Sequence, residues 1–120
     1  MECPKCYGDM DRVLDADTSI DRCQNCQGLY FDQLTKDLLQ GLLSDQAVDT
    51  GSDDVGSAYN DMVFVDCPKC DKMMDQRLIE EPVRIRFEFC PTCNATFLDA
   101  GELRQYTSEE YLEHFTSLLP

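Results

Sequence analysis

The sequence predicts two small α+β units, each a β-hairpin followed by a helix and each stapled by four cysteines, and three observations carry this. The first is spacing: cysteines stand at 3, 6, 23, 26, 67, 70, 90 and 93, four Cys-x-x-Cys pairs grouped two and two. The second is an internal repeat. Cys3-Pro4-Lys5-Cys6 matches Cys67-Pro68-Lys69-Cys70 residue for residue, and in the same alignment Met10, Asp11 and Leu14 match Met74, Asp75 and Leu78. Later in each unit Cys23, Cys26 and Asp32 align with Cys90, Cys93 and Asp99, and Tyr30-Phe31 with Phe97-Leu98, the second unit being three residues longer between its pairs. A hairpin tip tolerates such a length change. The third observation is the unbroken apolar-polar alternation of Val83-Arg84-Ile85-Arg86-Phe87-Glu88-Phe89, the period of a half-buried strand.

That strand runs into Cys90, and pairing it with Gln76 to Ile79 across Glu80-Glu81-Pro82 makes a hairpin that delivers one Cys-x-x-Cys from each side. The first unit carries a weaker copy: Arg12-Val13-Leu14, a turn near Ala16-Asp17, then Thr18 to Arg22. A helix is expected after each second pair. Asp32 and Asp99 are expected as N-caps, since a carboxylate accepts from orphaned backbone N–H groups, and Asp99 with Glu102 has capping-box spacing. Leu34, Leu38, Leu39, Leu42 and Leu43 form an apolar stripe at helical spacing, ending near Gly41 or Ser44. In the second unit Leu103 and Tyr106 begin a helix. Thr107 with Glu110 offers a further capping box ahead of Tyr111, Leu112, Phe115, Leu118 and Leu119.

The resulting division is a first unit over 1–43, an acidic flexible linker over 44–62, a second unit over 63–106 and an amphipathic C-terminal helix over 107–120. The linker reading rests on the Ser, Gly and Asp content of Ser44 to Asp61, which has no apolar periodicity. No apolar run approaches the roughly 20 residues that cross a bilayer. Met1-Glu2 leads straight into Cys3 without a charged and then apolar leader, so a cytoplasmic location is expected, where thiols stay reduced unless metal or catalysis claims them.

Reduced Cys-x-x-Cys pairs brought together by a hairpin supply a tetrahedral Zn²⁺ site. Pro4, Pro68 and Pro91 follow the first cysteine of their pairs, where a fixed φ pre-organises the knuckle. Two structural sites are expected: Cys3, Cys6, Cys23 and Cys26, and then Cys67, Cys70, Cys90 and Cys93. Competing uses are a redox Cys-x-x-Cys, which occurs singly on a βαβ scaffold, a single iron held for electron transfer, and a disulfide framework, which the compartment disfavours. All eight sulfurs close the two sites and leave no open metal position. His114 is the only histidine and has no partners in sequence to make it a ligand or base. A non-enzyme is therefore expected.

The stretches Asp21-Arg22-Cys23-Gln24-Asn25-Cys26-Gln27-Gly28-Leu29-Tyr30-Phe31-Asp32 and Cys90-Pro91-Thr92-Cys93-Asn94-Ala95-Thr96-Phe97-Leu98-Asp99-Ala100-Gly101-Glu102-Leu103 carry a further reading. With their Cys-Pro-Lys-Cys partners they resemble the transcription-factor-type zinc finger family, zinc ribbons similar to that of general transcription factor IIB, present here twice. The second copy keeps the family's Gly-Glu-Leu after Asp99. The first has Leu34-Thr35-Lys36, Tyr30 and Phe97 stand where tryptophan is frequent, and Ala95 replaces a glycine. The resemblance implies a zinc-ribbon fold with zinc as cofactor, and transcription as an analogy.

Charge narrows the partners. The chain has 24 acidic and 10 basic side chains, a net −14, and two zinc ions with eight thiolates would deepen this to about −18. Such a surface repels phosphate backbones and anionic membranes. The apolar stripes of the helices suggest a protein partner, or self-association through those helices. A nucleic-acid reading rests on the cluster of Lys69, Lys72, Arg77, Arg84 and Arg86, with Arg84 and Arg86 expected on the same strand face.

Overall fold

Most of the short strands carry β-branched or aromatic residues beside the cysteine turns, and a computed structural model, which describes residues 2–13, 20–42 and 65–119, shows how they join. In the first unit β1 (Met10–Arg12) pairs antiparallel with β2 (Ile20–Cys23), which pairs with β3 (Leu29–Phe31), and α1 (Lys36–Leu42) follows. In the second, β4 (Asp75–Ile79) pairs with β5 (Ile85–Phe89) as the expected hairpin, with Ile79 opposite Ile85, so the connection runs over residues 80–84 rather than Glu80-Glu81-Pro82 alone. Then come β6 (Thr96–Leu98), α2 (Glu102–Tyr106) and α3 (Leu112–Ser117). The turn near Ala16-Asp17, residues Leu14, Thr18 and Leu43, the Leu42 side chain and the linker 44–62 lie outside the described residues.

The third strand of each unit was not foreseen, and it joins the halves. β3 pairs antiparallel with β6, giving one six-stranded sheet in the order β1-β2-β3-β6-β5-β4. Tyr30 lies opposite Phe97, its own counterpart in the repeat, while Leu29 meets Leu98 and Phe31 meets Thr96. That register is an approximate two-fold axis between the copies, the isologous arrangement of a symmetric dimer within one chain.

Alternation along the strands gives the sheet two different faces. Ile20, Leu29, Phe31, Ile85, Phe87, Phe89 and Leu98 point to one side, where Leu34 and Leu39 of the α1 segment, Leu103 and Tyr106 of α2, and Phe115 and Leu119 of the tail complete the core. The tail therefore covers its apolar stripe within the chain: Phe115 is fully buried and stacks edge-on against Phe87 at 5.6 Å between centroids. On the other face lie Cys23, Tyr30 and Phe97 together with the cysteine turns. Gly28 is required there, because a Cβ would stand 2.4 Å from Cζ of the buried Phe97 ring.

The helix starts differ from expectation. Thr35 caps α1, its hydroxyl accepting from Leu38 N at 3.2 Å, and Asp32 does not. Asp99 forms half of a capping box: its backbone N–H donates to Glu102 Oε1 at 2.7 Å, but its own carboxylate is drawn elsewhere and the N-cap is Gly101, at φ 86. The Thr107–Glu110 box does not form either. The Thr107 hydroxyl donates back to Leu103 O at 2.6 Å, and α3 starts without a side-chain cap.

Arg84 and Arg86 do not make a basic face. Arg86 is only 9% exposed and Glu88 only 1%, because the polar side of β5 is covered. Arg77 lies 4.3 Å over the Phe89 ring.

Burial, with the charge of Asp99 beside it, pushes the Glu102 carboxyl up to about 8 from the ordinary 4.5. The Tyr106 hydroxyl lies 2.9 Å from Glu102 Oε2 and also bonds the Arg86 backbone, donating to its O and accepting from its N at 3.2 Å each. The folded chain thus keeps a proton that the unfolded chain releases. This contribution to stability is complete below about pH 4.5 and is lost as pH rises through about 8. Glu102→Gln, which cannot ionise, should gain stability relative to the parent steadily from pH 5.5 to 9 in denaturant titrations of the zinc-loaded chains. A pH-independent difference would contradict this.

Candidate metal centres

Each centre is built from two short turns, one opening the unit and one leaving its second long strand. In all four turns the residue after the second cysteine is left-handed: Tyr7, Gln27, Asp71 and Asn94 have φ of 63, 62, 60 and 65. Asn and Asp tolerate that region best among residues with a Cβ. The turns close by bonds such as Tyr7 N to Cys3 O at 3.0 Å and Asn94 N to Cys90 O at 2.8 Å. Bridges between Glu2 and Asp9, and between Asp66 and Met73, seal the N-terminal turn of each unit.

This brings the eight sulfurs into the two groups expected, Cys3-Cys6-Cys23-Cys26 and Cys67-Cys70-Cys90-Cys93, with all sulfurs of a group within 4.8 Å of one another. A tetrahedral ion about 2.3 Å from four sulfurs sets S···S edges of about 3.8 Å. Observed edges fit: Cys3–Cys26 3.7 Å, Cys6–Cys23 3.3 Å, Cys67–Cys93 3.5 Å and Cys70–Cys90 3.4 Å. None of the eight is paired in a disulfide. Backbone N–H groups face the thiolates as well, with Asn25 N 3.3 Å and Cys26 N 3.4 Å from Cys23 Sγ, and Gly28 N 3.5 Å from Cys26 Sγ. Four soft sulfurs at tetrahedral spacing, with donors behind them, suit Zn²⁺.

Within each group one thiol gives up its proton more readily while its neighbours hold theirs more tightly. Cys3 is pulled down to about 5, first by the hydrogen bond from Cys26, whose own thiol is pushed up by the same contact. Burial raises Cys23 and Cys93, the latter to about 12. At Cys90 burial also pushes upward, but the Cys93 N–H and the Cys70 thiol outweigh it and bring the group down to about 7.

Residues 2–40 match the family model described as the transcription factor zinc-finger, the TFIIB-type zinc ribbon. Over those residues the first unit is similar to that family. The second cysteine group, with the same architecture, fits a tandem copy, although the family match does not extend over it. No curated protein and no solved structure matches the chain. The protein is thus a zinc-binding chain of two zinc ribbons sharing one sheet, with two Cys₄ sites.

The ribbons are also locked together by charge. Lys5, inside the first knuckle, reaches across the two-fold to ribbon 2, placing Nζ 2.6 Å from Glu88 Oε1 and 2.8 Å from Asp99 Oδ2, and all three side chains are buried. The ammonium also lies 5.7 Å from the Phe97 ring centroid. Its counterpart is looser: Lys69 Nζ stands 3.9 Å from Asp32 Oδ1, with both side chains partly in solvent. Asp21 aligns with Glu88 in the repeat but already pairs with Arg12 at 2.8 Å, where ribbon 2 has the uncharged Gln76. Lys5 supplies the cation that ribbon 2 lacks in that row. Local sequence marks Asp99 as a cap and gives Lys5 no role of its own. The identical Cys-Pro-Lys-Cys and Asp positions in both copies were the only available signal of the pair.

His114 sits on α3, away from both sulfur groups. Among the described residues, no helix is long and apolar enough to cross a membrane.

Proposed function

We propose that this protein is a non-catalytic, cytoplasmic interaction module whose docking face is the cleft between the two N-terminal knuckles and whose partner is a basic protein segment. The cleft carries the reading. Its volume is about 310 Å³, room for one or two side chains, and its walls are repeat-related pairs: Glu2 and Asp66, Cys3 and Cys67, Pro4 and Pro68, Tyr7 and Asp71. Tyr7 is 71% exposed, a surface on which a guanidinium can stack beside three carboxylates. Each zinc-loaded Cys₄ centre behind it adds a charge of about −2, so the field attracts cations strongly. The helices favour such a role less, since Phe115 and Leu119 are buried in the chain's own core. A nucleic-acid role loses support with Arg86 buried and Arg77 held over Phe89. Transcription stands as an extension of the family match over residues 2–40.

The test is an NMR titration of the zinc-loaded chain with an Arg-rich decapeptide. Shifts should centre on Glu2, Tyr7, Asp66 and Asp71, and affinity should fall with salt. Tyr7→Asn should keep the fold, because Asn accepts φ 63, yet weaken binding about tenfold. Neutralising the exposed tail carboxylates Glu109, Glu110 and Glu113 is the control for generic attraction. A loss as large as that from neutralising Glu2, Asp66 and Asp71 would refute the cleft.

A further inference from the structure

The two zinc centres are not equivalent, and the difference lies at one repeat position on the sheet. Tyr30 and Phe97 face each other across the β3–β6 pairing, both fully buried on the side that carries the cysteine turns. They share one packed cluster with Cys3, Cys23 and Cys26 of the first centre and Cys67 and Cys90 of the second. The Tyr30 hydroxyl is buried and has no hydrogen-bond partner of good geometry. A buried donor without an acceptor is costly enough that native structures almost always provide one.

We propose that the acceptor is the zinc-bound thiolate of Cys67, so that a hydroxyl from ribbon 1 completes the metal centre of ribbon 2. Cys67 is the sulfur whose side chain comes within hydrogen-bonding reach of that hydroxyl, although the present angle does not make the bond. Zinc would hold Cys67 as a thiolate beside its fellow ligand Cys93, 3.5 Å away, leaving lone pairs free to accept. In the first centre the equivalent side chain is Phe97, which has no hydroxyl to offer. Donors behind a metal ligand hold its orientation and soften its charge, and their loss typically weakens metal binding about 10- to 100-fold. Tyr30 is therefore a positioning residue for the second centre alone.

Tyr30→Phe tests this with little change to the core, since Phe already occupies the repeat-related site. Zinc transfer from the full chain to a chromophoric chelator should show two phases, and the variant should speed one of them about tenfold. N-ethylmaleimide trapping and peptide mass mapping should assign that phase to Cys67, Cys70, Cys90 and Cys93. In the Co²⁺-loaded chain the sulfur-to-cobalt charge-transfer band of the second centre should move to longer wavelength, because a thiolate without its donor is easier to oxidise. Tyr106→Phe is the control: it removes a buried hydroxyl bonded to Glu102 and Arg86, away from either sulfur group, and should lower stability without moving the band or the rates. Unchanged second-centre kinetics and spectrum in Tyr30→Phe, or equal changes at both centres, would overturn the assignment.

Discussion

Removing zinc is expected to collapse the whole sheet, in one transition. Native mass spectrometry should find two zinc ions per chain, and a strong chelator should abolish the β signal and the dispersed amide spectrum of both ribbons together. A structural zinc site contributes an apparent 10–16 kcal/mol at neutral pH, about as much as or more than the net stability of a typical domain, roughly 5–15 kcal/mol. Neither ribbon is insulated from loss of the other. β2 ends on the ligand Cys23, β3 lies between β2 and β6, and Phe97 of ribbon 2 packs where Gly28 of ribbon 1 leaves room. Cys3→Ser, which damages only the first site, should therefore broaden or shift resonances of β5 and β6 as well. Two separate unfolding steps, or a ribbon 2 spectrum indifferent to Cys3→Ser, would show that the shared sheet does not couple the sites.

Lys5→Met should be the most damaging substitution outside the cysteines. It leaves Glu88 and Asp99 buried without their ammonium, and stranding a buried charge costs about 3–5 kcal/mol. Burial pushes the Glu88 carboxyl up to about 7 even with Lys5 beside it, against an ordinary 4.5, and raises Asp99 as well. Without Lys5 both must rise further, so protonation relieves the stranded charge. The deficit should be largest above pH 8 and shrink as pH falls through 7 towards 6, in chemical denaturation of zinc-loaded protein. Adding Glu88→Gln to Lys5→Met should recover part of the loss, as coupled neighbours do. Lys69→Met, at the looser 3.9 Å pair, should change stability little, since half-exposed ion pairs contribute little. Equal effects at the two lysines would show that the asymmetry of the two salt links has no energetic weight.

The cysteine groups, the repeat and the second hairpin were legible because each is a local pattern: ligand spacing, residue identity, or an alternation seven residues long. The junction was not. Leu29-Tyr30-Phe31 and Thr96-Phe97-Leu98 are too short to show a period, and their partner strand lies 67 positions away in the repeat, so nothing nearby declares them strands. The same junction explains the misread charges. Arg84, Arg86 and Glu88 alternate as a solvent face should, yet Arg86 and Glu88 are buried, with Lys5 of the first knuckle against Glu88, and only Arg84, just ahead of β5, stays exposed. Asp99 has the position of a cap, but a buried cation at 2.8 Å outcompetes helix N–H groups for its carboxylate. In each case a long-range partner overruled a local preference, and only the repeated Cys-Pro-Lys-Cys and Asp positions hinted at one of those partners.

The β3–β6 pairing also bears on concentration. A lone ribbon would end in an open strand edge bearing Leu29, Tyr30 and Phe31, a surface that invites pairing with any second copy it meets. With both copies in one chain, that encounter becomes intramolecular, at a local concentration set by chain length. The double ribbon and its two-fold cleft therefore persist at any dilution, so a protein present in few copies per cell would keep both.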